Sequence, residues 1–180
     1  MPHRDVGVPR PAALRALNML AFQAAWFATV LGAAHGLPWL GLVTVLAAVV
    51  LHLTLTTRRL PELRLLSAAF ILGLLLENTL LHTGVVGYAG DPVWVPLWML
   101  ALWPLFATTL NFTLVWFKPR PRLAVMAGAL AGPLAYAGGE ALGAIRLYGP
   151  ALWILAAVWA VAFPLLLAVA PPGGADRKTP

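Results

Sequence analysis

Three side chains able to move a proton or bind a polar group lie together inside an apolar run. They are Glu77, Asn78 and His82, within ELRLLSAAFILGLLLENTLLHTGVVGY, residues 62–88. A carboxylate and an imidazole are common partners in acid–base chemistry. A carboxylate among hydrocarbon is also costly, because nothing there replaces its water. Helical geometry splits the trio. Asn78 and His82, four residues apart, share a face, whereas Glu77 is about 140° around from His82. Glu77 shares its face with Gly73 and Gly84 instead, which predicts that it points into a bundle and finds its partner on another helix. Glu140 is a second carboxylate at similar depth, and Arg146 is the nearby cation, so a pair between Arg146 and either glutamate is expected. Glu77, His82 and Glu140 are therefore the candidate catalytic residues, with His35 and Asp91 toward the same end. Asn18, Gln23, His52 and Asn111 form a second polar group nearer the other end, read as helix–helix hydrogen-bonding residues. No HExxH, phosphate-binding loop or GxSxG occurs. With no cysteine in the chain, thiolate nucleophiles and disulfides are excluded. No metal or cofactor is expected.

The elements that must hold these residues are long apolar segments. The 180 residues are 61% hydrophobic and 10% charged, where a soluble domain carries roughly 25% charged residues. The mean hydropathy is +0.85. The fold class expected is an all-α polytopic membrane protein with six transmembrane helices in a compact bundle, at about 14–34, 40–57, 62–84, 96–117, 123–142 and 150–170. Residues 1–13 form a leader and 171–180 a disordered tail. The first run resembles a signal peptide, but it contains Asn18 and Gln23 and exceeds the usual apolar core of about 7–15 residues, so it is read as a retained helix. Eleven of the twelve basic residues fall in the leader, the second and fourth connections and the tail, leaving Arg146 on the other side. By the positive-inside rule both termini are cytoplasmic. This placement in short loops also excludes a nucleic-acid-binding surface. Glu77, thirteen residues beyond Arg64, is then about 20 Å along its helix, past the midplane toward the outer side.

Packing faces are legible too. In the fifth segment Gly128, Gly132, Ala135, Gly139 and Gly143 form a smooth strip with two GxxxG pairs, bordered by Tyr136 and Glu140. Such strips allow close approach of helix backbones. Pro104, Pro133 and Pro164 are expected to kink three helices. Trp39, Trp94, Trp98 and Trp116 read as interfacial anchors. The spans show no clear repeat. The partners expected are membrane lipids and a second copy or another membrane protein.

NMLAFQAAWFATVLGAAHGLPWLG at 18–41, WMLALWPLFATTLN at 98–111 and AGPLAYAGGEALGA at 131–144 resemble a bacterial inner-membrane family of unknown function, domain of unknown function 2878. The likeness extends through about residue 170. It implies a compact multi-helix protein of the inner membrane. The family's genes often neighbour those of cyclopropane-type fatty-acid methyltransferases, which implies lipid modification or envelope stress. The resemblance assigns no residue a role. Three classes of function follow: an accessory to membrane-lipid modification, a small transporter or proton-coupled carrier, and a structural subunit of a membrane complex. An enzyme would need Glu77 and a histidine to converge in an open cleft.

Overall fold

The computed structural model describes residues 11–171. The predicted leader up to residue 10 and the predicted tail from residue 172 lie outside the described residues. Six α-helices follow in order: α1 (Pro11–Ala34), α2 (Pro38–Leu55), α3 (Arg59–His82), α4 (Leu97–Ala107), α5 (Pro121–Ala141) and α6 (Ala151–Val169). Of these, α1, α2, α3 and α6 are long and apolar enough to cross a membrane. Two short strands, β1 (Val86–Tyr88) and β2 (Ile145–Leu147), pair antiparallel with Gly87 opposite Arg146. The end of the bundle carrying them is called the hairpin end below.

The fourth segment departs from expectation. A continuous helix is predicted to residue 117, but α4 stops at Ala107 and has 11 residues. At 1.5 Å per residue it is about 16 Å long, well under the roughly 30 Å of a hydrocarbon core. Beyond it the chain tightens into turns, with Thr109 N bonded to Phe106 O and Leu110 N to Ala107 O. The cause is local. Thr108 and Thr109 each donate their hydroxyl to the carbonyl three residues back, which competes with the helical ladder. Asn18 of α1 then donates to the Thr108 carbonyl at 3.2 Å. A neighbouring helix thus satisfies backbone that the break exposes.

α3 and α5 end alike. Val85 N bonds to Leu80 O beyond Gly84, and Ala144 N bonds to Gly139 O beyond Gly143. Both glycines have positive φ, +68° and +83°, the left-handed cap that a side chain opposes. Each cap delivers the chain into one strand of the same small sheet, so α3 and α5 run toward the same end.

This shared ending extends into a repeat that the sequence reading did not detect. Every buried position of α5 has a buried counterpart on α3 at a constant offset: Leu65 and Ala124, Ala69 and Gly128, Gly73 and Gly132, Glu77 and Tyr136, Leu80 and Gly139. The returning segments match similarly, pairing Met99 with Leu155, Trp103 with Trp159, Ala107 with Phe163 and Leu110 with Leu166. The unit α3–β1–α4 is therefore repeated as α5–β2–α6. The two copies meet about a pseudo-twofold centred on the Gly87–Arg146 pair.

Tight inter-helix contacts use the glycines. A Cβ on Gly132 would come within 2.2 Å of the Trp159 ring, and one on Gly128 would come equally close to the Trp159 carbonyl oxygen. The strip of α5 is thus filled from within the chain by α6. Gly73 makes the same space for Trp103, whose ring would lie 2.3 Å from an added Cβ.

Candidate functional site

Glu77 is fully buried on α3. Its carboxyl oxygens accept three hydrogen bonds, all from aromatic side chains. Trp103 Nε1 of α4 donates to Oε1 at 3.0 Å, Tyr88 Oη of β1 donates to Oε2 at 3.0 Å, and Tyr136 Oη of α5 also donates to Oε1. The glycine at 73, one turn before Glu77, lets the Trp103 indole lie across α3 and reach the carboxyl group. Glu77 and Tyr136 are the equivalent positions of the repeat, so the central hydrogen bond joins symmetry-related residues. Trp103 and Trp159, also equivalent, stack beside them with centroids 5.1 Å apart and planes at 15°. Burial, followed by the charge of the adjacent Glu77, pushes the Tyr88 phenol above its ordinary range and keeps it a donor.

Beside this cluster lies a cavity of about 480 Å³, within the roughly 300–1,000 Å³ typical of small-molecule sites. Its walls are Phe22, Gln23 and Trp26 of α1, Trp103 and Phe106 of α4, Trp159 of α6, and the small-residue face of α5 from Ala127 to Gly139. Glu77 and Tyr136 border it toward the hairpin end. Gln23, Ala131, Leu134 and Ala135 are exposed as well as lining, so the cavity opens sideways between α1 and α5. Trp159 Nε1 is buried beside the Tyr136 hydroxyl.

A second polar cluster occupies the opposite end. Glu62, in the first turn of α3, is buried at 4% exposure. Its Oε2 pairs with His52 Nε2 of α2 at 3.1 Å, and its Oε1 accepts from Asn111 Nδ2 at 2.7 Å. Lys118 Nζ donates to Asn111 Oδ1 at 2.7 Å and to the carbonyls of Ala170 and Pro171. This joins α2, α3, the end of α6 and the turns after α4. Asn18 belongs with Thr113, whose hydroxyl donates to Asn18 Oδ1 at 2.9 Å. The second polar group is therefore built around a carboxylate and a lysine, neither of which the sequence reading placed in it.

Other expectations are corrected by the geometry. Glu77 takes aromatic partners and not Arg146, which is exposed on β2. Glu140 takes a backbone partner in place of Arg146: its Oε1 accepts from Leu147 N at 2.8 Å. His82 is exposed, with Nδ1 at 2.8 Å from the Asn78 carbonyl and its ring against Trp94. His35 makes the equivalent contact with Leu31 O, and Asp91 is an exposed loop residue with φ of 44°. Neither joins Glu77. Gly139 packs against Ile145, and Gly143 forms the helix cap. Trp98, expected at an interface, is buried edge-on to Tyr88, while Trp39, Trp94 and Trp116 are exposed. Sequence reasoning missed Tyr88, Trp103 and Trp159 as site residues. Gly73, on the face of Glu77, was the signal that a large ring must fit there. Glu62 was missed because a carboxylate in a helix's first turn reads as a dipole partner.

Fold and site together define a helical protein, with four helices long and apolar enough to cross a membrane, and a lateral apolar cavity bordered by a buried carboxyl group. The chain belongs to a family described as "Protein of unknown function (DUF2878)", which matches residues 15–165. No characterised protein and no solved structure matches it.

Proposed function

We propose that the protein binds a lipid-like molecule in the lateral cavity and serves as an accessory to membrane-lipid modification in a bacterial inner membrane. The observation that carries this reading is the cavity itself: apolar, open on the flank of the bundle, and bordered at one end by the only carboxyl group that lines it among the described residues. The cavity is wide enough for a ligand, and its mouth lies where an apolar molecule would already reside. The nearest contacts of Glu77 are tyrosines and tryptophan, with no histidine among them, which favours binding over acid–base catalysis. Ala131 lines the cavity and is exposed, so Ala131→Trp fills it from the mouth with little disturbance of the core. The protein purified in mild detergent should retain acyl lipid detectable by mass spectrometry, and Ala131→Trp should lose it. Equal lipid content in both would refute the reading. An unchanged lipid profile in a strain lacking the gene would remove the accessory role.

In this proposal the chain crosses the membrane six times with both termini cytoplasmic, the broken fourth segment completing its crossing through the turns after α4. The distribution of basic residues supports the orientation. A chain without cysteine makes the test simple, since a single cysteine replacing Asp91 should react with an impermeant maleimide from outside and one replacing Arg58 should not.

A carrier is the second reading, and the repeat favours it. Parallel repeats related by an axis along the membrane normal are a known transporter plan, with substrate sites at the repeat interface. Glu77 and Tyr136 occupy that interface. Proton-coupled uptake into vesicles that fails in Glu77→Gln would select this reading. The structural-subunit reading loses its main support, because α6 already occupies Gly128 and Gly132.

A further inference from the structure

The mouth of the cavity differs at its two ends. Toward the hairpin end α1 and α5 close on each other. A Cβ on Gly138 would lie 3.5 Å from the tip of the Trp26 ring, and one on Gly143 would lie 4.0 Å from the Ala34 methyl. Toward the opposite end the turns after α4 supply the lining instead, through Leu114 and Phe117. The backbone around both of these residues is tied to an arginine. Thr113, next to Leu114, donates its hydroxyl to the Arg15 carbonyl at 3.3 Å, and Arg120 N donates to the Phe117 carbonyl at 2.8 Å.

Arg15 stands in the first turns of α1 and Arg120 at the start of α5, the two helices that frame the mouth. Arg15 precedes the lining residues Phe22 and Trp26 by seven and eleven positions, and Arg120 precedes Ala127 and Ala131 by the same intervals. These intervals are about two and three helical turns, so each arginine shares a face with the wall on its own helix, about 10 Å before that wall begins. Both arginines are exposed. Arg120 is steadied there, with Nη1 donating to the Trp116 carbonyl at 2.7 Å and the guanidinium 5.9 Å from the centroid of the exposed Trp116 ring.

Charge follows the same polarity. The arginine end also exposes Arg58, Arg59, Arg64 and Arg122, and no carboxylate is exposed there among the described residues, since Glu62 is buried. The hairpin end exposes Asp91 and Glu140 beside Arg146. The positive-inside rule accounts for arginines on one side of the bundle. It does not account for a pair of them flanking the foot of an apolar opening. Guanidinium groups suit the oxygens of phosphate and carboxylate. A soluble anion would leave the apolar space beyond them unused, and a cationic amphiphile would be repelled.

Resting on the lipid-binding reading above, we infer that the cavity takes an acyl lipid with an anionic headgroup from the leaflet at the arginine end. Its hydrocarbon enters between α1 and α5, and its head sits between Arg15 and Arg120.

The test measures retention of three radiolabelled lipids with equal acyl chains by delipidated protein in neutral detergent: anionic phosphatidylglycerol, zwitterionic phosphatidylcholine and cationic ethylphosphatidylcholine. Wild type should hold phosphatidylglycerol about tenfold more tightly than phosphatidylcholine and the cationic lipid least, with the preference shrinking as salt is raised. Arg15→Gln combined with Arg120→Gln should bring the first two lipids level. Arg58→Gln combined with Arg59→Gln removes the same charge from the same end, away from the cavity lining, and should leave the preference unchanged. Ala131→Trp should lower retention of all three. Equal retention of the three lipids by wild type, a preference for the cationic one, a preference that survives loss of Arg15 and Arg120, or one lost equally with Arg58 and Arg59 would overturn the inference while leaving an apolar-ligand site standing. Failure of wild type to retain any of the lipids, or full retention by Ala131→Trp, would overturn the lipid-binding reading itself. Should the double variant at Arg15 and Arg120 not fold, each single variant should lower the preference, and an unchanged preference in both would overturn the inference.

Discussion

Glu77 and Glu62 lie on the same helix, both buried, and each is shared with other parts of the chain, yet they are satisfied in opposite ways. Glu62 joins a histidine, an asparagine and, through the asparagine, a lysine that also holds the carbonyls at the end of α6. That arrangement ties helix ends together at one end of the bundle. Glu77 takes only neutral aromatic donors, and those rings leave space beside them. A buried carboxylate is thus not by itself a functional signal. What separates the two is whether the partners close the space around the carboxylate or border an opening.

Replacing each glutamate tests this contrast most directly. Glu77→Ala leaves three buried donors without an acceptor, at about 1–3 kcal/mol each, and should show the largest loss of stability on thermal unfolding in detergent. Glu62→Ala breaks a buried charged network and should cost about 3 kcal/mol, yet leave lipid retention intact in whatever fraction folds. If both variants lost bound lipid to the same extent, the distinction between a bracing carboxylate and a site carboxylate would collapse. Next come the equivalent glycines. Gly73→Ala and Gly132→Ala each overpack a tryptophan and should cost about 1–3 kcal/mol. Both displace a tryptophan of the cavity wall and should reduce lipid retention, and the first alone also displaces a donor to Glu77. His82→Ala should be smallest, within about 0.5 kcal/mol, because the ring is exposed and contacts its own helix.

Most of the helical scaffold was legible because apolar runs of spanning length are bounded by glycine, proline and arginine. The inward direction of Glu77 was legible too, from its face with Gly73. The break after Ala107 was not, since it depends on two threonines choosing backbone carbonyls over the continuing helix, and on Asn18 meeting the freed oxygen from another helix. The repeat was hidden for a different reason. Equivalent positions conserve space and not residue type: Glu77 corresponds to Tyr136, Leu65 to Ala124, Ala107 to Phe163. Among the positions named, only the glycine caps, the Gly73–Gly132 pair and the paired tryptophans keep their identity, too few for a pattern to stand out. The aromatic partners of Glu77 come from three separate elements, and only the fold brings them to one point.

The sideways mouth between α1 and α5 has a further consequence for how any occupant is counted. In the lipid-binding reading proposed above, a ligand reaching it travels within the plane of the membrane, having partitioned there first. Occupancy then follows the ligand's mole fraction in the bilayer and not its concentration in water. Adding inert lipid at fixed protein and ligand should empty the cavity by surface dilution, although nothing about the aqueous phase has changed.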